Sequence, residues 1–211
     1  MTAQPHVAVL DYEAGNLRSA QRGLERAGAE VTVTADPLVA ERADALVVPG
    51  VGHFGTCLAN LKRGGLADLV RRWVRDGRPL LGICVGMQLL YEHSEEGDCP
   101  GLGILPGRVV RFPDTVRIPH MGWDVIVPAS GHDDDPLLAG VAGKRAYFVH
   151  SYYAVASDPA HVVATCRYPE PFPCIVRAGP VVGTQFHPEK SSDVGIRLLT
   201  NWVAGLPVAV A

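Results

Sequence analysis

Leu81-Gly82-Ile83-Cys84-Val85-Gly86-Met87-Gln88-Leu89-Leu90 sets a single cysteine between two glycines, where an apolar run gives way to a helical pattern. Residues 80–83 have the length and composition of a buried strand. Met87, Leu89, Leu90 and Tyr91 begin a helix-like apolar stretch, so Cys84 falls at the turn between them. Glycine on either side lets the chain bend sharply and lets a substrate carbonyl approach the sulfur. A helix starting here turns its N–H groups and positive dipole end toward Cys84, which favours the thiolate. Two readings stand equally on this segment alone: a nucleophile at a strand-to-helix elbow, or a buried structural cysteine at a strand end.

Outward from that turn, strands and helices alternate. Residues 7–11 read as a first buried strand, and residues 16–27 follow with apolar and small positions at helical spacing. Residues 30–34 alternate as a second strand, 45–48 form a third, and 66–75 an amphipathic helix closed by Asp76-Gly77. With 80–83 as the fourth strand, this order predicts an α/β fold: an open, mostly parallel, twisted sheet flanked by helices. From residue 105 to 166 the pattern changes. Residues 108–112, 124–127, 146–153 and 161–166 read as short strands among Pro and Gly turns, predicting a mostly antiparallel extension of the sheet. Residues 175–177 and 181–185 form hairpin-like strands around Ala178-Gly179-Pro180, and 195–204 a closing helix. No internal repeat or low-complexity linker interrupts the chain.

The 211 residues, 47% of them hydrophobic, suffice for one domain over residues 1–211 with a sizeable core. A net charge of −3 without a long Lys/Arg cluster gives no electrostatic footprint for nucleic acid or an anionic membrane. Arg71, Arg72 and Arg75 read as the solvated face of a helix. The five cysteines form no CxxC pair and no zinc-like spacing, which suggests a reducing compartment. The N-terminus lacks a basic region and a long apolar segment, and no apolar stretch is long enough to span a bilayer. A soluble, cytoplasmic protein is expected.

In open parallel sheets the ligand lies beyond the carboxyl ends of the strands. The chemically suggestive segments sit at such ends: residues 11–16 after the first strand, Pro49-Gly50-Val51-Gly52-His53-Phe54-Gly55 after the third, and Cys84 after the fourth. The glycines at 50, 52 and 55 make a weak phosphate loop, since no Gly-Lys-Ser/Thr follows; they also suit a loop that brings N–H groups close to a substrate oxygen.

A cysteine nucleophile needs a base, and the base needs an orienting group. Gly183-Thr184-Gln185-Phe186-His187-Pro188-Glu189-Lys190-Ser191 offers both: His187 to take and return a proton, Glu189 to hold the imidazole, and Pro188 to stiffen the turn. The competing reading is a surface turn with a capping glutamate before the last helix. His120 and His150 lie in aromatic-rich stretches, where a histidine is more often a hydrogen-bonded core residue. None of the eight histidines stands at a metal-binding spacing with carboxylates, so neither metal nor cofactor is expected.

Gly82-Ile83-Cys84-Val85-Gly86-Met87-Gln88 and Phe186-His187-Pro188-Glu189-Lys190-Ser191 resemble the nucleophile and His-Glu motifs of the class I (triad) glutamine amidotransferases. Four further stretches narrow the resemblance to the glutaminase subunits of imidazole glycerol phosphate synthases. They are Asp11-Tyr12-Glu13-Ala14-Gly15-Asn16-Leu17-Arg18-Ser19, the segment 49–55, Ile118-Pro119-His120-Met121-Gly122-Trp123 and Tyr147-Phe148-Val149-His150-Ser151-Tyr152-Tyr153. The likeness runs from about Val7 to Asn201, with Glu13 where a small residue is usual and Asp124 where Asn is common. It implies a flavodoxin-like class I amidotransferase fold that hydrolyses L-glutamine to glutamate and ammonia. The ammonia passes within a heterodimer to a cyclase subunit with a (β/α)8 barrel, which makes imidazole glycerol phosphate and aminoimidazole carboxamide ribotide in histidine biosynthesis.

Carried over residue by residue, the resemblance implies a triad of Cys84, His187 and Glu189, with Val85 and the Val51-Gly52 segment donating to the oxyanion. It implies that Gly50, Gln88, Glu96, His150, Ser151 and Tyr152 hold or surround glutamine, and that Asn16, Met121, Trp123, Tyr147 and Lys190 meet the cyclase. In relatives the Val51 donor can point away until the partner binds its ligand, and the same gate is expected here. Glu96 reads equally as one of several solvated acids. Three other readings compete: a free-standing triad glutaminase such as that serving pyridoxal phosphate synthesis, a silent regulatory subunit on the same fold, and a cysteine peptidase of similar architecture.

Overall fold

The computed structural model describes residues 4–207; the ends of the expected single domain, 1–3 and 208–211, lie outside the described residues. The first half alternates as expected: β1 (His6–Leu10), α1 (Leu17–Arg26), β2 (Glu30–Thr34), α2 (Pro37–Ala40), β3 (Ala45–Gly50), α3 (Phe54–Arg63), α4 (Leu66–Arg75) and β4 (Leu80–Cys84). α5 (Val85–Gln88) follows at once, then β5 (Tyr91–Ser94), β6 (Cys99–Pro100), β7 (Leu105–Arg111), β8 (His120–Val125), β9 (Val127–Pro128), β10 (Arg145–His150) and β11 (Tyr152–Ala156). The chain closes with β12 (Val162–Arg167), β13 (Pro171–Ala178), β14 (Val181–Thr184) and α6 (Ser192–Ala204).

The main sheet has the order β2-β1-β3-β4-β14-β13-β12-β9. The strands from β2 through β14 run parallel, and β13, β12 and β9 extend the sheet antiparallel. β1, β3, β4 and β14 are buried almost throughout. Their Val/Leu/Ile-rich runs fit strands covered on both faces.

Four expectations need correction. The apolar stretch after Cys84 makes only one helical turn, and Tyr91 begins a strand. Main-chain N–H groups of the returning segment capture its carbonyls: Leu102 on Leu89 at 2.8 Å, Ile104 on Leu90 at 2.8 Å and Gly103 on Tyr91 at 3.1 Å. Residues 85–91 are all buried, so no polar face exists for a longer surface helix. The antiparallel extension is also smaller than expected, because β8 and β10 pair separately and β11-β7-β5-β6 form a third sheet. The expected single strand at 146–153 therefore breaks at Ser151, where the chain passes from one small sheet to the other. Likewise 124–127 divides into β8 and β9 around the buried Ile126.

The sequence reading left out α3. Its buried positions Phe54, Cys57, Leu58 and Leu61 repeat at helical spacing, and the His53 ring caps it by accepting the Gly55 N–H at 3.1 Å.

Glycines let the ends of β3 and β4 meet. A Cβ on Gly86 would lie 1.8 Å from the Val48 carbonyl oxygen, and one on Gly50 would lie 2.4 Å from the Gly86 nitrogen. Gly52 has a φ of +100° but open space around its Cα. We expect Gly86→Ala to cost about 3 kcal/mol of stability in urea unfolding through overpacking, and Gly52→Ala only about 1 kcal/mol through its left-handed backbone. Equal losses would contradict this reading of the β3–β4 contact.

Candidate active site

Cys84 closes β4 with φ +54° and ψ −112°, a left-handed conformation that a residue with a side chain adopts only when its surroundings hold it there. Its strand lies between β3 and β14, in register Gly50↔Cys84 and Thr184↔Ile83. The bend carries the sulfur out of the sheet and leaves the first N–H groups of α5 beside it. α5 is too short to contribute much dipole, so its N–H groups are what remains of the expected helix effect.

The next parallel strand delivers the partners. His187 follows β14, and its Nδ1 lies 2.8 Å from Glu189 Oε1; the two side chains are 2% and 3% exposed. Glu189 therefore lies beneath the histidine, and the surface-turn reading does not describe it. Ser191 braces this turn by donating to the His187 carbonyl at 2.7 Å and accepting the Tyr147 N–H at 2.9 Å. Burial alone lowers the basicity of His187, but the neighbouring Cys84 sulfur and Glu189 carboxylate outweigh burial and raise it from 6.5 to about 10. The buried pair with Glu189 therefore favours the protonated ring at neutral pH.

Both groups open on a cavity of about 470 Å³. Among the residues singled out from sequence, Asn16, Val51, Gly52, Cys84, Val85, Gln88, Glu96, His150, Ser151, Tyr152, His187 and Lys190 line it. Gly50 packs beneath, against Val85 and Gly86. Met121 and Trp123 lie outside the cavity and are strongly exposed, at 63% and 46%. Half-buried Tyr147 sits opposite Trp123 on the neighbouring strand, with ring centroids 6.0 Å apart. Among the described residues no cluster of His, Cys, Asp or Glu could hold a metal.

The end of β3 and the segment after it are held from below. The Tyr12 hydroxyl donates to the Pro49 carbonyl, and the Cys57 thiol donates to the Val51 carbonyl at 3.4 Å. Burial and the nearby Glu96 and Cys84 push Cys57 up to about 11, so it stays a thiol and a donor. Glu96 is half-buried; its Oε2 accepts the Phe54 N–H at 2.7 Å, capping α3 while the residue also faces the cavity.

Cys57 and Gln185 went unassigned in the sequence. Gln185 is fully buried, accepts from Gln88 Nε2 at 3.0 Å and places its own Nε2 3.7 Å from the Cys84 sulfur. The usable signal for Gln185 was a glutamine two residues before His187 at the end of an apolar strand.

The imidazolium makes a pH prediction. Its folded value lies above the ordinary 6.5, so its contribution to stability is complete below about 6.5 and is lost as pH rises through about 10. In an NMR titration, His187 signals should stay those of an imidazolium until pH passes about 10. In Glu189→Gln the midpoint should fall by roughly one to three units. A His187 midpoint near 6.5 in the unsubstituted protein would contradict the ion-pair geometry.

Known proteins resemble this chain over most of its length. The family model described as glutamine amidotransferase class-I matches residues 8–205. A relative from Halobacterium salinarum, "Imidazole glycerol phosphate synthase subunit HisH", is 51% identical, with 93% of this chain and 92% of that one covered. One of the same description from Natronomonas pharaonis is 50% identical, with 93% of each chain covered. A solved structure described as "Crystal structure of glutamine amidotransferase" superposes with a TM-score of 0.74 at 26% identity, covering 95% of this chain and 99% of that one. The chain belongs to the class I glutamine amidotransferase family, on the branch of the imidazole glycerol phosphate synthase HisH subunits.

Proposed function

We propose that this protein is the glutaminase subunit of an imidazole glycerol phosphate synthase: it hydrolyses glutamine and passes the ammonia to a cyclase subunit in histidine biosynthesis. The observation that carries the reading is the convergence of Cys84 and His187 on one cavity at the carboxyl ends of parallel strands, with the buried Glu189 side chain bonded to the far nitrogen of the His187 ring.

The Cys84 thiolate attacks the side-chain amide carbon of glutamine and forms a C–S bond. The oxyanion lies between the N–H of Val85 and an N–H of the Val51-Gly52 segment. His187 gives its proton to the amide nitrogen, the C–N bond breaks and ammonia leaves. Neutral His187 then takes a proton from water, and the hydroxide opens the thioester to glutamate and the Cys84 thiolate. Glu189 keeps the ring oriented and charged through these steps. Gln88, Glu96, His150, Ser151 and Tyr152 surround the substrate, and a carboxylate at Glu96 suits an α-ammonium group.

The cyclase partner is a (β/α)8 barrel seated over Asn16, Met121, Trp123, Tyr147 and Lys190. The support is the exposure of Met121 and Trp123 beside a cavity mouth formed in part by Asn16 and Lys190. The Cys57 hydrogen bond to the Val51 carbonyl holds the oxyanion segment in its resting arrangement, which partner binding changes.

Ammonia release from glutamine, with and without the barrel partner and its nucleotide ligand, tests the function. Full activity requires the complete complex; no activity in that complex contradicts the reading, and full activity of the subunit alone contradicts the gate. Cys84→Ala should bind the partner yet lose turnover, and retained hydrolysis would mean another nucleophile. Cys57→Ala, lacking one hydrogen bond to the resting segment, should raise partner-independent hydrolysis about fivefold; an unchanged or lower basal rate would contradict the latch.

A further inference from the structure

An unbroken line of polar groups runs from the edge of β8 to the cavity. Asp124 Oδ2 lies 2.6 Å from His120 Nε2, and His120 Nδ1 lies 3.2 Å from His150 Nε2. His150 Nδ1 lies 2.7 Å from the Tyr152 carbonyl oxygen, which also accepts Gln88 Nε2 at 2.9 Å. Through Gln88 and Gln185 the line reaches the Cys84 sulfur. Both histidines are buried, whereas the Asp124 side chain is 42% exposed.

Counting donors constrains the protons. A carbonyl oxygen only accepts, so His150 Nδ1 carries a hydrogen. Burial pushes His150 down to about 3, so the ring is neutral and its Nε2 is a lone pair. The nitrogen facing that lone pair, His120 Nδ1, must donate. The other His120 nitrogen faces a carboxylate, which also only accepts. With a neutral His150, this set of acceptors calls for a hydrogen on each His120 nitrogen, one facing His150 and one facing Asp124. The surroundings of His120 suit a cation: the ring stacks on Tyr168 at 4.2 Å and on Phe148 at 5.1 Å between centroids.

We propose that His120 and Asp124 are positioning residues of the glutamine pocket: Asp124 keeps His120 a buried imidazolium, whose Nδ1–H fixes the His150 tautomer that grips the Tyr152 carbonyl and, through it, Gln88. Without the His120 donor, the His150 ring can exchange its proton between nitrogens. A lone pair then faces the Tyr152 oxygen, and the acceptor that orients Gln88 moves. The pocket's ligand rests on the glutaminase reading, whereas the charge of His120 rests on the hydrogen-bond geometry together with the neutrality of the buried His150 ring.

Two readouts separate these. In the full chain labelled with 15N-histidine, imidazole NMR should find both His120 nitrogens protonated and only Nδ1 of His150. In Asp124→Asn, His120 should fall to one protonated nitrogen with His150 unchanged. A singly protonated His120 in the unsubstituted protein, or an Nε2–H on His150, overturns the proposal.

In the complex with its barrel partner, His120→Phe keeps the stacking but loses the donor. It should raise the glutamine KM about tenfold, the scale of one charge-assisted hydrogen bond, with kcat changed less than about twofold. His120→Asn, whose amide can stand where Nδ1 stood, should recover most of the loss. An unchanged KM in His120→Phe, or no recovery in His120→Asn, overturns the positioning role. Should the unsubstituted complex not hydrolyse glutamine, the glutaminase reading fails while the NMR still decides the charge of His120.

Discussion

The backbone of Cys84, held at φ +54°, is the constraint on which the rest of the site depends. Such a conformation costs on the order of 1–3 kcal/mol and persists only where packing over-determines it. Here the packing is the seam where β3 and β4 end side by side, with the Gly50 and Gly86 backbones closer than any side chain allows. A buried strand on each side of β4 prevents the turn from relaxing into a regular strand or a longer helix. The strain presents the sulfur to the cavity instead of to the core.

Electrostatics follows from the same topology. β14 runs parallel beside β4, so His187 arrives at the level of Cys84, and the short turn through Pro188 folds Glu189 under the ring. Buried among apolar strands, an isolated imidazolium would lose its proton, but the carboxylate and the sulfur hold it there. The small sheets supply the other wall through His150, Ser151 and Tyr152, at the point where the chain leaves β10 for β11. A break in a strand thus becomes a rim of the cavity.

Much of this is legible in the sequence, for reasons that particular residues make plain. The strands β1, β3 and β4 are short apolar runs bounded by turns, β2 alternates, and His187 stands at a strand end where it supplies the base that the Cys84 segment alone leaves open. The helix expected after Cys84 was misread, because a run apolar on every face carries no period, and long-range main-chain hydrogen bonds decide its shape. The break at Ser151 was invisible for a similar reason, since sheet membership is set by which strands face one another. α3 was legible at positions 54, 57, 58 and 61 but masked by the glycines before it. Cys57 and Gln185 carry no motif of their own; only their contacts in space, with the Val51 carbonyl and the Cys84 sulfur, mark them. His120 and His150 read correctly as hydrogen-bonded residues among aromatics, yet sequence could not tell that they bond to each other and lead to the cavity.

The most direct measurement of the central claim is the site of the covalent intermediate. The complex with its barrel partner would be acid-quenched during glutamine turnover, and the peptides of this chain mapped by mass spectrometry. The account predicts a glutamyl thioester on Cys84 during turnover, and its loss in His187→Ala, because the same ring must protonate the departing amide nitrogen before the thioester can form. A glutamyl adduct on Cys57, Cys99, Cys166 or Cys174 during turnover, with Cys84 unmodified, would contradict it.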